Sequence, residues 1–299
     1  MDKKVLAIYY SQSGQLGEII EYFIKPFERA GFPVEKVRIT PVTDYPFPWT
    51  GERFFRVMPD CVLSVPTALQ SFTLKESSYD LIILGYQAWF LSPSIPSNSL
   101  LQNERFRGLL KDTPVITITG ARNMWMNAFD RVRQALLGAG AKLVGNIALV
   151  DRHPNPISFI TIFHWMMHGR KDKYLNIFPV PGVAAADIAH TERFGALALP
   201  CLRHNDWSGL QRELLKQGAV AYKYKLMFIE ARARGIFLAW AKFISARRKK
   251  RTWLAAFKYY LLIALFLGAP VLLAVDALFI KPFSTKRIKA KKQYYLELH

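Results

Sequence analysis

A chain of 299 residues with 51% hydrophobic content can bury one large core or two modest ones, which excludes a predominantly disordered protein. Its two cysteines, Cys61 and Cys201, lie far apart without partnered spacing; this excludes a disulfide framework or a zinc finger and suits a reducing compartment. The formal charge of +19 is uneven: residues 220–299 carry 17 Lys or Arg against three acids, beside an apolar stretch, a pairing that favours a membrane surface over nucleic acid.

Residues 5–10 (VLAIYY) form a nearly continuous apolar run with β-branched and aromatic members, the pattern of a strand buried on both faces of a parallel sheet. No secretory pattern precedes or interrupts it, so the N-terminal domain is expected in the cytoplasm. The run breaks into Ser11, Gln12, Ser13, Gly14, Gln15 and Leu16, and a helix is predicted over 16–30. A second strand is predicted at 33–39, then a proline-punctuated connection (PVTDYPFPW) and an aromatic insertion at 51–65. Further strands are predicted at 81–84, 115–119 and 142–150, with helices near 99–110 and 125–137. This alternation predicts an α/β fold with a doubly wound, five-stranded parallel sheet over residues 1–152. A helical extension over 153–219 and a basic, apolar helical tail over 220–299 are expected to follow.

Ligands of such sheets bind beyond the carboxyl ends of the strands, where strand order reverses, and that rule selects three loops. In the first, Ser11 to Leu16, hydroxyls, amides and one glycine stand at a helix start whose N–H groups are free. It lacks the lysine of a Walker loop and the spaced glycines of a dinucleotide fingerprint. A phosphate cradle and an ordinary serine-capped turn both fit. In the second, Gly85, Tyr86, Gln87, Ala88 and Trp89 place an indole where it either stacks on a planar ligand or packs beneath the loop. In the third, Thr119, Gly120, Ala121, Arg122, Asn123 and Trp125 offer close backbone approach, an amide, another indole and a cation for an anion or for solvent.

Together these loops resemble those of flavodoxin-like FMN proteins. The resemblance implies FMN as cofactor, its phosphate wrapped by Ser11, Ser13, Gly14 and Gln15, and its ring flanked by the Gly85 to Trp89 loop. Leu16 departs from the family's hydroxyl at that place. The phrases IYYSQSGQL, YPFPW, GYQAWFLSPSIP, TGARNMW, VGNIALVDRHPN and ITIFHWMMHG resemble the dialkylresorcinol condensing enzyme family, and that likeness continues through the tail. It implies a ketosynthase-type partner and the oxidation of a lipid-derived dialkyl cyclohexane-1,3-dione to a resorcinol, a step in making flexirubin-type lipids. That conversion removes two electrons and two protons, which suits a flavin and calls for a base. Two other readings are a quinone or flavin reductase using a nicotinamide cofactor, and a non-catalytic partner of the ketosynthase.

For the base, His153 lies just past the fifth predicted strand on the same edge as the three loops, with Asp151 two residues before it as an orienting carboxylate. A surface histidine fits the same position. His164 and His168, four residues apart in ISFITIFHWMMHG, lack the glutamate of a zinc protease motif, so packing is expected and no metal site is assigned. Two helices are expected within 183–217 and a basic one over 222–247. The apolar run 259–280, interrupted by Gly268, Pro270 and Asp276, is flanked on both sides by basic clusters. That symmetry conflicts with a single crossing and predicts a re-entrant hairpin with its apex at 268–270, anchoring the protein to anionic lipid on the cytoplasmic face of the inner membrane; a buried helical hairpin capping the sheet domain and a single span are the two other readings of the stretch.

Overall fold

The computed structural model describes residues 3–298. In chain order the elements are β1 (Val5–Tyr9), α1 (Gln15–Arg29), β2 (Val34–Arg38), α2 (Gly51–Arg56), α3 (Met58–Val62), β3 (Leu81–Tyr86), β4 (Ala88–Trp89), β5 (Ser92–Pro93), α4 (Ile95–Gln102) and α5 (Glu104–Gly108). Then come β6 (Pro114–Ala121), α6 (Met126–Gly138), β7 (Lys142–Val150), α7 (Asn155–His168), α8 (Ala185–His204), α9 (Leu210–Lys216), α10 (Tyr224–Ser245), α11 (Lys250–Ile263), α12 (Ala269–Val275) and α13 (Thr285–Glu297). The main sheet has the order β2-β1-β3-β6-β7, and every pair is parallel. Counting its five strands alone, that is the flavodoxin-like order 2-1-3-4-5, with the topological switch between β1 and β3.

The strands are apolar on both sides because both sides are covered. Leu6, Ile8, Ile82, Leu84 and Val115 point to one cluster, which α4, α5 and α6 complete through Leu100, Phe106 and Phe129. Val5, Ala7, Leu81, Ile83, Ile116 and Ile147 point to the other, filled by Phe23 and Phe27 of α1 and by Phe194 and Leu214 of α8 and α9. The helix predicted over 99–110 is two short ones. Asn103 adopts an extended backbone and its side chain accepts from the Phe106 N–H, so the chain restarts there instead of continuing.

A third cluster lies beside the sheet, where Phe55, Met58 and Val62 of α2 and α3 meet Phe237 and Ala241 of α10 and Phe257 of α11. From Lys250 to Phe283 the chain is one unbroken helix of 34 residues. The reversal expected at 268–270 does not occur. Gly268 and Ala269 are right-handed helical, and the proline is absorbed by a π turn over Ala264–Gly268 immediately before it. A proline removes one backbone N–H from the ladder, and a wider turn re-spaces the bonds around the gap.

Two contacts in the core generate predictions. At Gly195 a Cβ would collide with the Phe23 carbonyl oxygen, because α8 crosses α1 backbone to backbone at that point. Gly195→Ala is expected to lower stability by about 3 kcal/mol, measured by denaturant unfolding, since a backbone oxygen has no cheap way to move aside. Glu230 is buried beneath α6, accepts from the Asn127 N–H at 2.6 Å, and lies near Asp130; burial pushes its carboxyl up to about 8. Between its ordinary 4.5 and about 8 the folded protein therefore holds a proton that the unfolded chain has released, so stability is lost as pH rises through that window. Glu230→Gln, which does not titrate, is expected to flatten this loss in thermal midpoints measured from about pH 5 to 8.

Candidate functional site

The carboxyl ends of β1, β3 and β6 converge on a cleft of about 230 Å³. At its floor, the α1 helix opens on Gly14, which takes a left-handed backbone (φ 89°), with nothing within 4 Å of where a Cβ would stand. Glu18 makes the first intrahelical bond, to the Gly14 carbonyl, and Ser11 Oγ accepts from the Gly17 N–H at 3.1 Å. The N–H groups of Gln15 and Leu16 are thus left directed out of the helix end, the arrangement that holds an anion. Ser13 lines the cleft beside them.

The amide side chains of this loop do other work. Gln12 accepts from Trp49 Nε1 at 3.1 Å and donates to the Tyr45 carbonyl at 2.9 Å, so it fastens the 45–49 segment over the cleft. Gln15 Oε1 accepts from the Val183 N–H at 3.0 Å and holds the loop before α8. Leu16 is buried in the core, so only its backbone faces the site. That backbone role needs no hydroxyl.

The β3 loop divides likewise. A Cβ at Gly85 would stand 2.6 Å from Tyr9 Cβ, so this glycine serves sheet packing. Tyr86 is fully buried in the core. Gln87, Ala88 and Trp89 line the cleft, and the buried Gln87 Oε1 has no partner among the described residues. Trp89 is framed edge-on by Tyr10, Tyr45 and Trp49 at 5.9, 5.4 and 5.4 Å. Phe90 and Leu91, the two residues between β4 and β5, both have positive φ (47° and 60°), a conformation that a tight hairpin demands and bulky residues resist.

Of the third loop, Gly120, Ala121 and Arg122 line the cleft. Arg122 donates to Asn155 Oδ1 at 2.8 Å, and burial lowers its guanidinium to about 10, still well above neutrality, so it stays charged. Asn123 also donates to Asn155 Oδ1, at 2.6 Å, while Thr119 is buried in β6. Trp125 is not at the site. It is fully buried, donates to the Ala221 carbonyl at 3.4 Å and packs edge-on against Tyr295, because the returning tail needs a flat apolar seat.

Asp151 and His153 also take other places. Asp151 is 1% exposed and accepts from the His153 backbone N–H at 2.9 Å, Ser158 Oγ at 2.9 Å and the Gly182 N–H at 3.3 Å. It therefore holds the chain at the start of α7 and does not meet the His153 imidazole. His153 is half-buried and outside the cleft lining. His164 and His168 stack on one another, with Tyr174 against His164.

The walls come from segments outside the three strand-end loops, including two of the phrases that carry the family resemblance, YPFPW and ITIFHWMMHG. Phe47, Trp49, Phe54 and Val57 close one side, and Ile162, Trp165 and Met166 of α7 the other. Apart from that resemblance, their signal in the sequence is the density of aromatic residues in 45–55 and 159–166. Among the described residues Arg122 is the one ionisable side chain of the lining. A cleft of 230 Å³ is smaller than the roughly 300–1,000 Å³ that small-molecule ligands occupy, so a cofactor-sized guest requires these walls to draw back. A larger open depression of about 530 Å³, lined by Thr67 to Phe72 and by Ser99 to Arg105, lies away from these loops.

Solved structures similar to this chain include a flavoprotein in complex with FMN from Lactobacillus acidophilus NCFM, at 18% identity and a TM-score of 0.40, covering 49% of this chain and 93% of that one. A flavodoxin from the domain Archaea aligns at 11% identity and a TM-score of 0.38 over 67% of this chain and 99% of its own. Two-electron reduced flavodoxin from Megasphaera elsdenii aligns at 19% identity and a TM-score of 0.31, over 51% and 89% respectively. Neither a family model nor a curated protein matches the sequence.

The roles of Asp151 and His153 separate by experiment. Asp151→Ala strips a buried acceptor from three donors and is expected to lower stability by about 3 kcal/mol, whereas His153→Ala is expected to stay within about 0.5 kcal/mol of the parent in the same unfolding assay.

Proposed function

We propose that this protein is an FMN-dependent oxidoreductase that converts a lipid-derived dialkyl cyclohexane-1,3-dione into a resorcinol, working on the cytoplasmic side with a ketosynthase-type enzyme that supplies the dione. The observation that carries the reading is the make-up of the cleft. A lysine-free helix N-terminus lies at one end, an indole and an unpartnered amide oxygen in the middle, and aromatic walls with a single cation opposite.

The residues fit FMN. The free N–H groups at the start of α1, with Ser13, would hold the phosphate; Gln87 would meet a ring N–H; and Trp89 would lie along the ring. FMN, when bound, supplies the two-electron acceptor that the conversion requires. The chain's own part is to bind and orient. A cyclic 1,3-dione readily carries its negative charge as an enolate, and Arg122, charged and half-buried, would pair with that oxygen. Phe54, Phe90, Ile162 and Met166 would take up alkyl arms, while Trp49 and Trp165 keep water from the ring. The cleft lining offers no carboxylate or imidazole among the described residues, so the ring proton leaves to water at the cleft mouth.

Binding can be followed through quenching of the tryptophans around the cleft. The parent is expected to bind FMN more tightly than riboflavin. Gly14→Asp, which sets a carboxylate in open space at the phosphate position, should erase that preference, and Trp89→Ala should weaken both ligands about tenfold. Arg122→Gln should leave FMN affinity in place and slow conversion of a synthetic dialkyl cyclohexane-1,3-dione at least roughly tenfold. Protein that stays colourless with excess FMN, or resorcinol formed equally well by the ketosynthase without this chain, would overturn the assignment.

A further inference from the structure

The helix from Lys250 to Phe283 is long enough to cross a bilayer: 34 residues at about 1.5 Å each make roughly 50 Å, against a hydrocarbon core of roughly 30 Å. Its surroundings forbid that use. Near its start, Phe257 is fully buried against Phe55 and Phe237. Toward its end, Asp276 is 2% exposed and accepts from the Tyr224 hydroxyl at 2.9 Å. Beyond it the chain returns to the sheet domain: the Tyr295 hydroxyl donates to Asp130 at 3.0 Å, and Gln211 donates to the Leu296 carbonyl at 2.8 Å. Both flanks dock on one folded body, so both lie on one side of any membrane.

From Ile263 to Phe283 the outward face of the helix nonetheless carries an unbroken apolar row. Ile263, Leu267, Val271, Val275, Phe279 and Phe283 are all exposed, Leu267 at 66% and Phe283 at 88%. They recur every four residues, and each such step over-rotates an α-helix by about 40°. Two π turns, at Ala264–Gly268 and Asp276–Ile280, each take up one extra residue and turn the row back onto a single face. Basic clusters stand at the start of the helix, Arg247 to Arg251, and at the far end of the row, Lys281 to Lys292.

We infer that this helix lies in the plane of a membrane, its apolar row sunk into the headgroup boundary of an anionic lipid surface and its two basic ends on the headgroups. The charge of both ends matches such a surface, and an apolar row flanked by cations is the pattern of an interfacial helix. The inner face meanwhile stays fixed to α2, α7 and α10 through Phe55, Phe159 and Tyr224. The inference is independent of flavin binding and is read without flavin.

The test uses the full chain with vesicles of phosphatidylcholine alone and of phosphatidylcholine with phosphatidylglycerol. Co-sedimentation is expected with the anionic vesicles, weakening as salt rises. The double variant Leu267→Glu with Leu278→Glu changes only exposed positions and should keep the parent's circular dichroism and thermal midpoint while losing roughly tenfold or more of vesicle binding. In expressing cells, cysteines placed at Ser245 and Ser284 should both react with a membrane-impermeant maleimide only after permeabilisation. Reaction of position 284 alone in intact cells would mean a crossing and overturn the inference. So would absence of binding to either vesicle, together with a dimer in sedimentation that the double variant dissolves, since the apolar row would then serve a second copy.

Discussion

The carboxylate of Asp151 sits at the end of β7 with almost no exposure and is bound by three separate stretches of chain: the turn into α7, Ser158 within it, and Gly182 ahead of α8. A buried charge is tolerated only when such donors surround it. Its need for them decides where α7 stands, and α7 is one wall of the cleft. The Gln15 to Val183 bond ties the same 182–183 loop to the first turn of α1. The floor and the far wall of the site are thus parts of one hydrogen-bonded assembly.

The near wall depends on a second polar knot. Gln12 spends both ends of its amide on Trp49 and Tyr45, and this draws the 45–49 segment across the strand ends to frame Trp89. The result is a cleft whose polar groups are mostly satisfied by the protein itself. The exceptions are the free N–H groups of α1 and the Gln87 oxygen; with the Arg122 guanidinium, which is held by Asn155 and has no carboxylate bonded to it among the described residues, those are the groups left for a ligand.

The tail obeys a different constraint. An apolar repeat of four does not fit a helix of 3.6 residues per turn, so a straight α-helix would wind the row around its axis and bury part of it at random. The π turns hold it to one face, leaving Phe257, Ala269 and Asp276 for the protein side. The return of α13 to Trp125 and Asp130 then fixes the far end of the helix to the same folded body as its start.

Much of the fold was legible in local pattern. Each buried strand is a run of apolar residues because both sheet faces are covered, and the loop order follows from strand alternation alone. The helix start at Gly14, with its free N–H groups, was legible for the same reason, since it depends on a few adjacent residues. The partners of side chains were not. Spacing along the chain placed Trp125 and Tyr86 with the ligand loops and paired Asp151 with His153. Which way each side chain turns was decided by residues far away in sequence, Tyr295 and Ala221 for Trp125 and Gly182 for Asp151, and the crowding of Tyr9 and Ile20 made Gly85 a packing glycine. The hairpin expected at Gly268 and Pro270 failed likewise, because a glycine and a proline mark a place where a helix is able to break. Whether it does depends on what holds the two ends, and here Phe257 and Asp276 are held along one straight path by the packed body beside them.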